Sequence, residues 1–274
     1  MLVLCYGITK SGSTLAFELV KGMLKSIGHE QGRLSEGLVK PGHAINFVQQ
    51  VDRKKLDDLL HLVGNRSVAV KTHAGVRDHV FPYLEELQEK RLVQIVASYR
   101  DPREICLSLA DAGAHARTHN RTAFSEFTDI KSAVPGVLRQ IAKFRRWGAV
   151  RGALRLDYDV VAFSPDAAID RIEERLGIAC DRAYAKRYAF DEAFTQKNKA
   201  MRYRAKEELS KEQYAALTAT FADFLENAYE RVNESWFAKV REDILATVKA
   251  DMRIRTKKGG VRSRRRSRKR VSND

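Results

Sequence analysis

The chain is poor in cysteine, with three among 274 residues: Cys5, Cys106 and Cys180, far apart and set in apolar stretches. An odd, scattered set suggests neither a disulfide framework nor a zinc site and fits a reducing, cytoplasmic setting best. No run of 18 apolar residues occurs, which excludes a transmembrane helix. The opening MLVLCYGITKSGST lacks a basic n-region and its apolar stretch stops at Gly7, so no signal peptide is expected. Internal repeats are absent. So are the aromatic interleaving, zinc motif and recognition helix that specific nucleic-acid binding would use.

Positive charge, by contrast, is plentiful. Fifty Lys+Arg against 35 Asp+Glu give a net +15, which by itself suggests a nucleic-acid or membrane binder. Its distribution argues otherwise. From Arg253 to the end there are eleven basic residues and one acidic, so +10 belongs to the last 22 residues and the body carries only +5. With 44% hydrophobic residues the body can bury a sizeable core. The tail KKGGVRSRRRSRKR cannot offset its chain entropy by burial. The expected organisation is one folded domain over 1–252 and a disordered basic tail over 253–274, free to contact an anionic polymer or membrane without specificity.

Apolar runs at 2–6 (LVLCY), 67–70 (SVAV), 92–97 (LVQIVA) and 153–156 (ALRL) lack polar alternation, as strands buried on both faces do. Helical spacing follows the first run over 15–27, with Gly28 closing it, and recurs over 80–89, 135–147 and 165–176. Ser164 and Pro165 open the last of these, Gly177 ends it, and SKEQ at 210–213 is a capping box before a helix running to about 229. A further helix is expected near 234–250. The fold class is α/β: a three-layer α/β/α sandwich with a central, mostly parallel sheet. Stretches 29–50 and 111–134 are polar, lack strong periodicity and are long for connections, as loops that line a substrate pocket often are.

Between the first strand and helix lies Gly7-Ile8-Thr9-Lys10-Ser11-Gly12-Ser13-Thr14. Backbone amides and the positive helix end make such a turn an anion site. The spacing approaches that of a nucleotide-binding P-loop, Gly-x4-Gly-Lys-Ser/Thr, but Ser13 follows Gly12 and the lysine lies inside the loop at position 10. The strand at 92–97 leads into Ser98-Tyr99-Arg100 before any acid, so the magnesium carboxylate of an ATPase is missing.

This loop resembles the 5′-phosphosulfate loop of sulfotransferases, which use 3′-phosphoadenylyl sulfate (PAPS). Three further segments carry the same resemblance. Arg100 at a strand end and Ser108 eight residues on, in the helix that Pro102 starts, resemble the pair that grips the 3′-phosphate. Lys71-Thr72-His73 resembles the Lys-Thr-His of hydroxyl-sulfating members, whose histidine is the catalytic base. A histidine with a near-neutral pKa is chemically suited to take the proton of a weakly nucleophilic hydroxyl. Tyr158 in LRLDYD, before Ser164-Pro165, resembles a tyrosine that contacts the nucleotide base. The resemblance spans about residues 2–230 and implies the P-loop NTPase-like sulfotransferase fold.

What the resemblance implies is a PAPS-dependent enzyme needing no metal. Lys10, Ser11, Gly12, Ser13, Thr14, Arg100, Ser108 and Tyr158 would hold the nucleotide, with His73, Lys10 and Lys71 catalytic. Two departures stand out: Leu15 occupies the place of a base-stacking tryptophan, and the basic stretch 197–204 replaces the segment that usually caps the nucleotide. From that stretch Lys199, Arg202 or Arg204 would reach the 3′-phosphate. The acceptor is a small molecule, glycan or lipid bearing a hydroxyl or amine, with His43, His115 and His119 as candidate contacts. Two other classes remain open at this level: an ATP-dependent small-molecule kinase with a variant P-loop, and a nucleic-acid-binding protein acting through its tail.

Overall fold

The computed structural model of the chain describes residues 1–270 apart from 36, 44, 194–199 and 231, with side chains as far as position 254. Five strands, β1 (Leu2–Gly7), β2 (Phe47–Val48), β3 (Val68–Thr72), β4 (Val93–Tyr99) and β5 (Leu154–Asp157), form one sheet in the order β2-β3-β1-β4-β5. Every pairing is parallel. β1, β3 and β4 are buried at every residue, as their unbroken apolar runs require. The side-chain period of two sorts β1 between the faces: Leu2, Leu4 and Tyr6 enter one core layer, Val3 and Cys5 the other.

The helices are α1 (Ser13–Ser26), α2 (Arg53–Val63), α3 (Phe81–Glu89), α4 (Pro102–Thr118), α5 (Ile130–Ala149), α6 (Tyr158–Phe163), α7 (Pro165–Leu176), α8 (Arg182–Arg187), α9 (Arg204–Glu208), α10 (Lys211–Thr220), α11 (Ala222–Phe224) and α12 (Glu234–Arg270). One face of the sheet is covered by α1 and α7, through Phe17, Leu19, Met23, Ile169 and Ile172. The other is covered by α3 and α5, through Phe81, Leu84, Val137 and Phe144, with Phe237 of α12 packed outside them. This is the three-layer sandwich expected from the sequence. Among the described residues no helix is long and apolar enough to cross a membrane.

Three local expectations change. The stretch 111–134 is largely helical: α4 continues to Thr118, and α5 starts at Ile130 behind a capping box formed by Asp129 and Ser132, leaving only 119–129 as connection. Both helix ends are mostly half-buried to exposed, so they carry little apolar periodicity to read. The stretch 29–50 holds the two-residue β2, too short to leave a pattern. The helix expected over 210–229 is interrupted, passing from α10 through α11 into a π-helical turn at Leu225–Tyr229. α12 runs across the boundary expected at 252/253.

Trp147 of α5 is fully buried, lies parallel-stacked on Tyr6 with ring centroids 5.7 Å apart, and donates from Nε1 to the carbonyl of Ala74 at 2.8 Å. It thereby fixes the segment that leaves β3. Trp147→Ala should lower unfolding free energy by about 3–5 kcal/mol, read from denaturant midpoints; a loss below about 1 kcal/mol would mean that this packing is not structural.

Candidate active site

β1 delivers the chain to Gly7 at the carboxyl end of the sheet, where β3 and β4 flank it on opposite sides, the usual place for a ligand crevice in open α/β sheets. The turn into α1 is crowded. A Cβ on Gly7 would overlap Ser13 and the Ser98 hydroxyl. Gly12 has φ +69, and a Cβ there would sit 2.8 Å from Cε2 of Tyr158 and closer still to Cδ2. Inside the turn, the Ser11 amide donates to Ile8 O at 3.0 Å and the Thr9 amide to Gln140 Oε1 at 2.6 Å. Ser11 is buried and its hydroxyl points back to Ser98 O at 3.4 Å, so it shapes the loop rather than lining the cavity.

Gly12 is the N-cap of α1 and brings no side-chain cap. The first-turn amides at Ser13 and Thr14 therefore lack the usual side-chain partner, and both residues line the cavity at the positive end of the helix. Lys10, in the left-handed region at φ 68, lines the same cavity with its ammonium 5.8 Å from the Phe124 ring centroid. Burial lowers its pKa, against a raising pull from Asp111.

From β3, Lys71 is 5% exposed and donates from Nζ to Thr14 Oγ1 at 2.6 Å. Burial brings its pKa down to about 8. Two residues on, Nδ1 of His73 lies 2.6 Å from the Gly7 carbonyl. A carbonyl only accepts, so Nδ1 carries the proton and Nε2 is left as the acceptor nitrogen. Sequence reasoning expected a near-neutral pKa; burial first, then Lys71, bring it down to about 4. The ring stands 5.4 Å from that of Phe47, which in turn stacks on His43 at 4.9 Å.

On the opposite flank, Asp101 caps α4 by accepting from the Arg103 amide at 2.9 Å, and Pro102 takes the first helical position. Arg100, 7% exposed, lies 4.1 Å over the Tyr158 ring. Its Nε donates to Glu104 Oε2 at 3.0 Å, its Nη2 also reaches Glu104, and Nη1 enters none of these bonds. Ser108, 2% exposed, lies two turns along α4 and lines the cavity with Arg100. One turn further, Asp111 accepts from Arg204 Nη2 at 2.8 Å, while Glu208 accepts from Arg204 Nε at 2.7 Å. Arg204 is 1% exposed and also lines the cavity.

The cavity holds about 630 Å³, within the range of sites that enclose small ligands. It brings together Lys10, Gly12, Ser13 and Thr14 from the loop, Lys71 and His73 from β3, and Arg100, Ser108 and Tyr158 from the far side. His43 lines it as well. His115 and His119 do not; their rings lie 4.0 Å apart at the end of α4. Arg202 is outside the lining and sits 4.5 Å over Phe163, which is inside it. Lys199 lies outside the described residues. Sequence reasoning missed Lys40, Phe47, Phe124, Phe163 and Phe190 as lining residues, and Glu104 as the carboxylate beside Arg100; the phenylalanines carry no local signal, and Lys40 and Glu104 read only as ordinary loop and helix polarity. Among the described residues, no group of three His, Cys, Asp or Glu is placed to hold a metal ion.

No family model matches the chain, and no curated protein matches it. Among solved structures, mouse sulfotransferase SULT7A1 complexed with PAP is similar over 91% of this chain and 88% of that one, with a TM-score of 0.52 and 12% sequence identity. Retinol dehydratase in complex with androsterone and the inactive cofactor PAP matches over 85% and 82%, at 16% identity and a TM-score of 0.48. The same enzyme with retinol and PAP matches over 82% and 81%, at 14% and 0.45. The likeness to the mouse enzyme is one of architecture: the chain has the sulfotransferase fold.

Two outcomes follow from the geometry. Gly12→Ala and Tyr158→Ala should each destabilise the protein, Gly12→Ala by about 1–3 kcal/mol from its positive φ and the collision. In the double variant the two losses should sum to less than their total, because the collision partner is gone; strict additivity in denaturant melts would mean the two residues do not touch. The folded pKa of His73 lies below that of the unfolded chain, about 6.5, so the unfolded state takes up a proton first as pH falls. Its contribution to stability is complete above about pH 6.5 and is lost as pH drops toward 4. Midpoints measured across that window should fall less steeply in His73→Asn than in the parent; parallel slopes would contradict the buried, neutral imidazole.

Proposed function

We propose that the chain is a PAPS-dependent sulfotransferase acting on a hydroxyl of a small-molecule acceptor. The observation that carries this reading is the cavity itself. Open first-turn amides, Lys10 and Lys71 lie at its centre, an Arg100–Ser108 pair lies at one flank, and the described residues that line it include no aspartate or glutamate. That donor set suits a nucleotide with negative charge at both ends and fits PAPS. Lys10, inside the loop, would meet the bridging side of a 5′-phosphosulfate, and Arg100, whose Nη1 lies outside its bonds to Glu104, would take the 3′-phosphate.

PAPS when bound supplies the sulfuryl group. The amides of Lys10, Gly12, Ser13 and Thr14 and the hydroxyls of Ser13 and Thr14 would bind the 5′ end, Ser11 serving only to shape the loop. Lys10 offsets the negative charge that grows on the departing phosphate, an effect larger in the transition state than in the ground state. Lys71, held against Thr14, supports charge on the sulfuryl oxygens. His73 Nε2 accepts the acceptor's proton while Gly7 O holds Nδ1–H. Burial, and after it the surrounding cations, keep its basicity low; a polyanionic nucleotide beside it would offset the cations' part and raise it. Arg204, rather than Arg202, is the residue of 197–204 that this reading assigns to the nucleotide, since it alone of the described ones is buried at the cavity wall. Tyr158 contacts the base, with Phe163 and Phe190 taking the role of the absent tryptophan at Leu15.

Residues 1–252 form the transferase unit, and the basic stretch 253–274 has no part in transfer. The scattered thiols suit the cytoplasm. His73→Ala and Lys10→Ala should each lower turnover with PAPS by roughly 10²–10⁴-fold while changing PAP affinity far less. Near-parental turnover in either variant, measured with radiolabelled PAPS, removes the role assigned to that residue.

A further inference from the structure

The cavity treats its cations in two ways. On the nucleotide flank each arginine has a carboxylate of its own: Glu104 for Arg100, and Asp111 with Glu208 for Arg204. On the flank beyond His73 there is no such match. Lys40 lines the cavity there, is exposed, and has no carboxylate partner among the described residues. His43, three residues on, stacks on Phe47, and Phe47 leans on His73, so a row of rings leads from the base toward this lysine. Ile45 adds an aliphatic wall.

The loop carrying these groups is built rather than slack. Arg33 donates from Nη2 to Lys40 O at 2.5 Å and from Nη1 to Ile45 O. Asn46 accepts from the Leu34 amide and donates to Gly32 O, both at 3.0 Å, and its own carbonyl accepts from the Lys71 amide at 2.8 Å. The Lys40 amide closes the loop on Phe47 O at 2.8 Å, and Phe47 pairs with Lys71 in the sheet. Lys40 is thus held in register with the residues that flank His73. Burial, and after it the positive charges of Lys40, Lys71 and Arg33, lower the pKa of His43.

We infer that the acceptor is itself an anion: a hydroxyl compound with a flat apolar body that lies along His43, Phe47 and Ile45, and a carboxylate or other acidic group that pairs with Lys40. The inference rests on the transferase reading and deepens it. Lys10 and Lys71 are taken by the donor, so Lys40 is the cation left for the acceptor. An acidic group gains a charge pair with Lys40 that a neutral acceptor lacks, and a cationic one would be repelled.

The test compares matched phenols, 4-hydroxyphenylacetate against its methyl ester and 4-hydroxybenzoate against its methyl ester, as acceptors with PAPS at low salt. The acids should be preferred in kcat/KM by roughly fivefold, the upper end for one exposed charge pair. That ratio should fall to about one in Lys40→Ala and below one in Lys40→Glu, and should shrink in the parent as salt is raised. Preference for the esters, or a preference for the acids that survives Lys40→Glu, overturns the inference while leaving sulfuryl transfer standing. Failure of the parent protein to bind PAP in a titration overturns the transferase reading, and the inference with it.

Discussion

The turn that joins β1 to α1 has no room for two side chains, and the site is organised around that fact. Gly7 lies against Ser13 and the Ser98 hydroxyl, and Gly12, at φ +69, lies against the ring of Tyr158. The first contact draws the loop onto β4; the second draws it onto α6. Because Gly12 is also the cap residue and has no side chain, α1 enters the cavity with its first amides open. His73 reads the same turn from the other side, holding its tautomer through the Gly7 carbonyl. Displacing either glycine would therefore move the open amides, the ring on which Arg100 stacks and the acceptor nitrogen of His73 together.

Charge around this turn is arranged by partner. Arg100 and Arg204 are buried, and each is paired with a carboxylate, as buried guanidinium groups need. Lys71 instead rests on a hydroxyl, and burial moves its pKa to about 8, still above neutrality. A strongly anionic ligand thus meets cations that are already desolvated and fixed, which reduces the ordering needed on binding. The net +15 of the chain is in this respect misleading, since most of it lies beyond the cavity and the few charges that matter number fewer than ten.

Much of this was legible in the order of residues. The apolar run before Gly7, the displaced lysine at position 10, and the eight-residue spacing of Arg100 and Ser108 are local patterns; the run forms β1, and Lys10, Arg100 and Ser108 line one cavity. Lys71 and His73 were legible because a strand end fixes them. The unread parts depend on contacts between residues far apart in the chain. Phe47 reaches the site through a two-residue strand that leaves no period. Lys40 is placed by Arg33 and by β2, and nothing around it distinguishes it from a solvated lysine. Glu104 has the same spacing from Arg100 as any helical ion pair. The low pKa of His73 needed its burial and the positions of Lys71, Lys143 and His43, none of which follows from Lys-Thr-His alone. His115 and His119 were expected near the acceptor because their stretch lacked periodicity, yet that stretch is the exposed end of a helix, where polarity reflects solvent rather than function.

The most direct measurement is calorimetric titration of the protein with adenosine 3′,5′-bisphosphate, adenosine 5′-phosphate and ATP with Mg²⁺. Recognition through Arg100, Ser108 and the open amides predicts that the bisphosphate binds without metal and that removing its 3′-phosphate weakens binding by roughly tenfold or more. Equal affinity for the two adenosine nucleotides, or tighter binding of ATP–Mg²⁺, would contradict it.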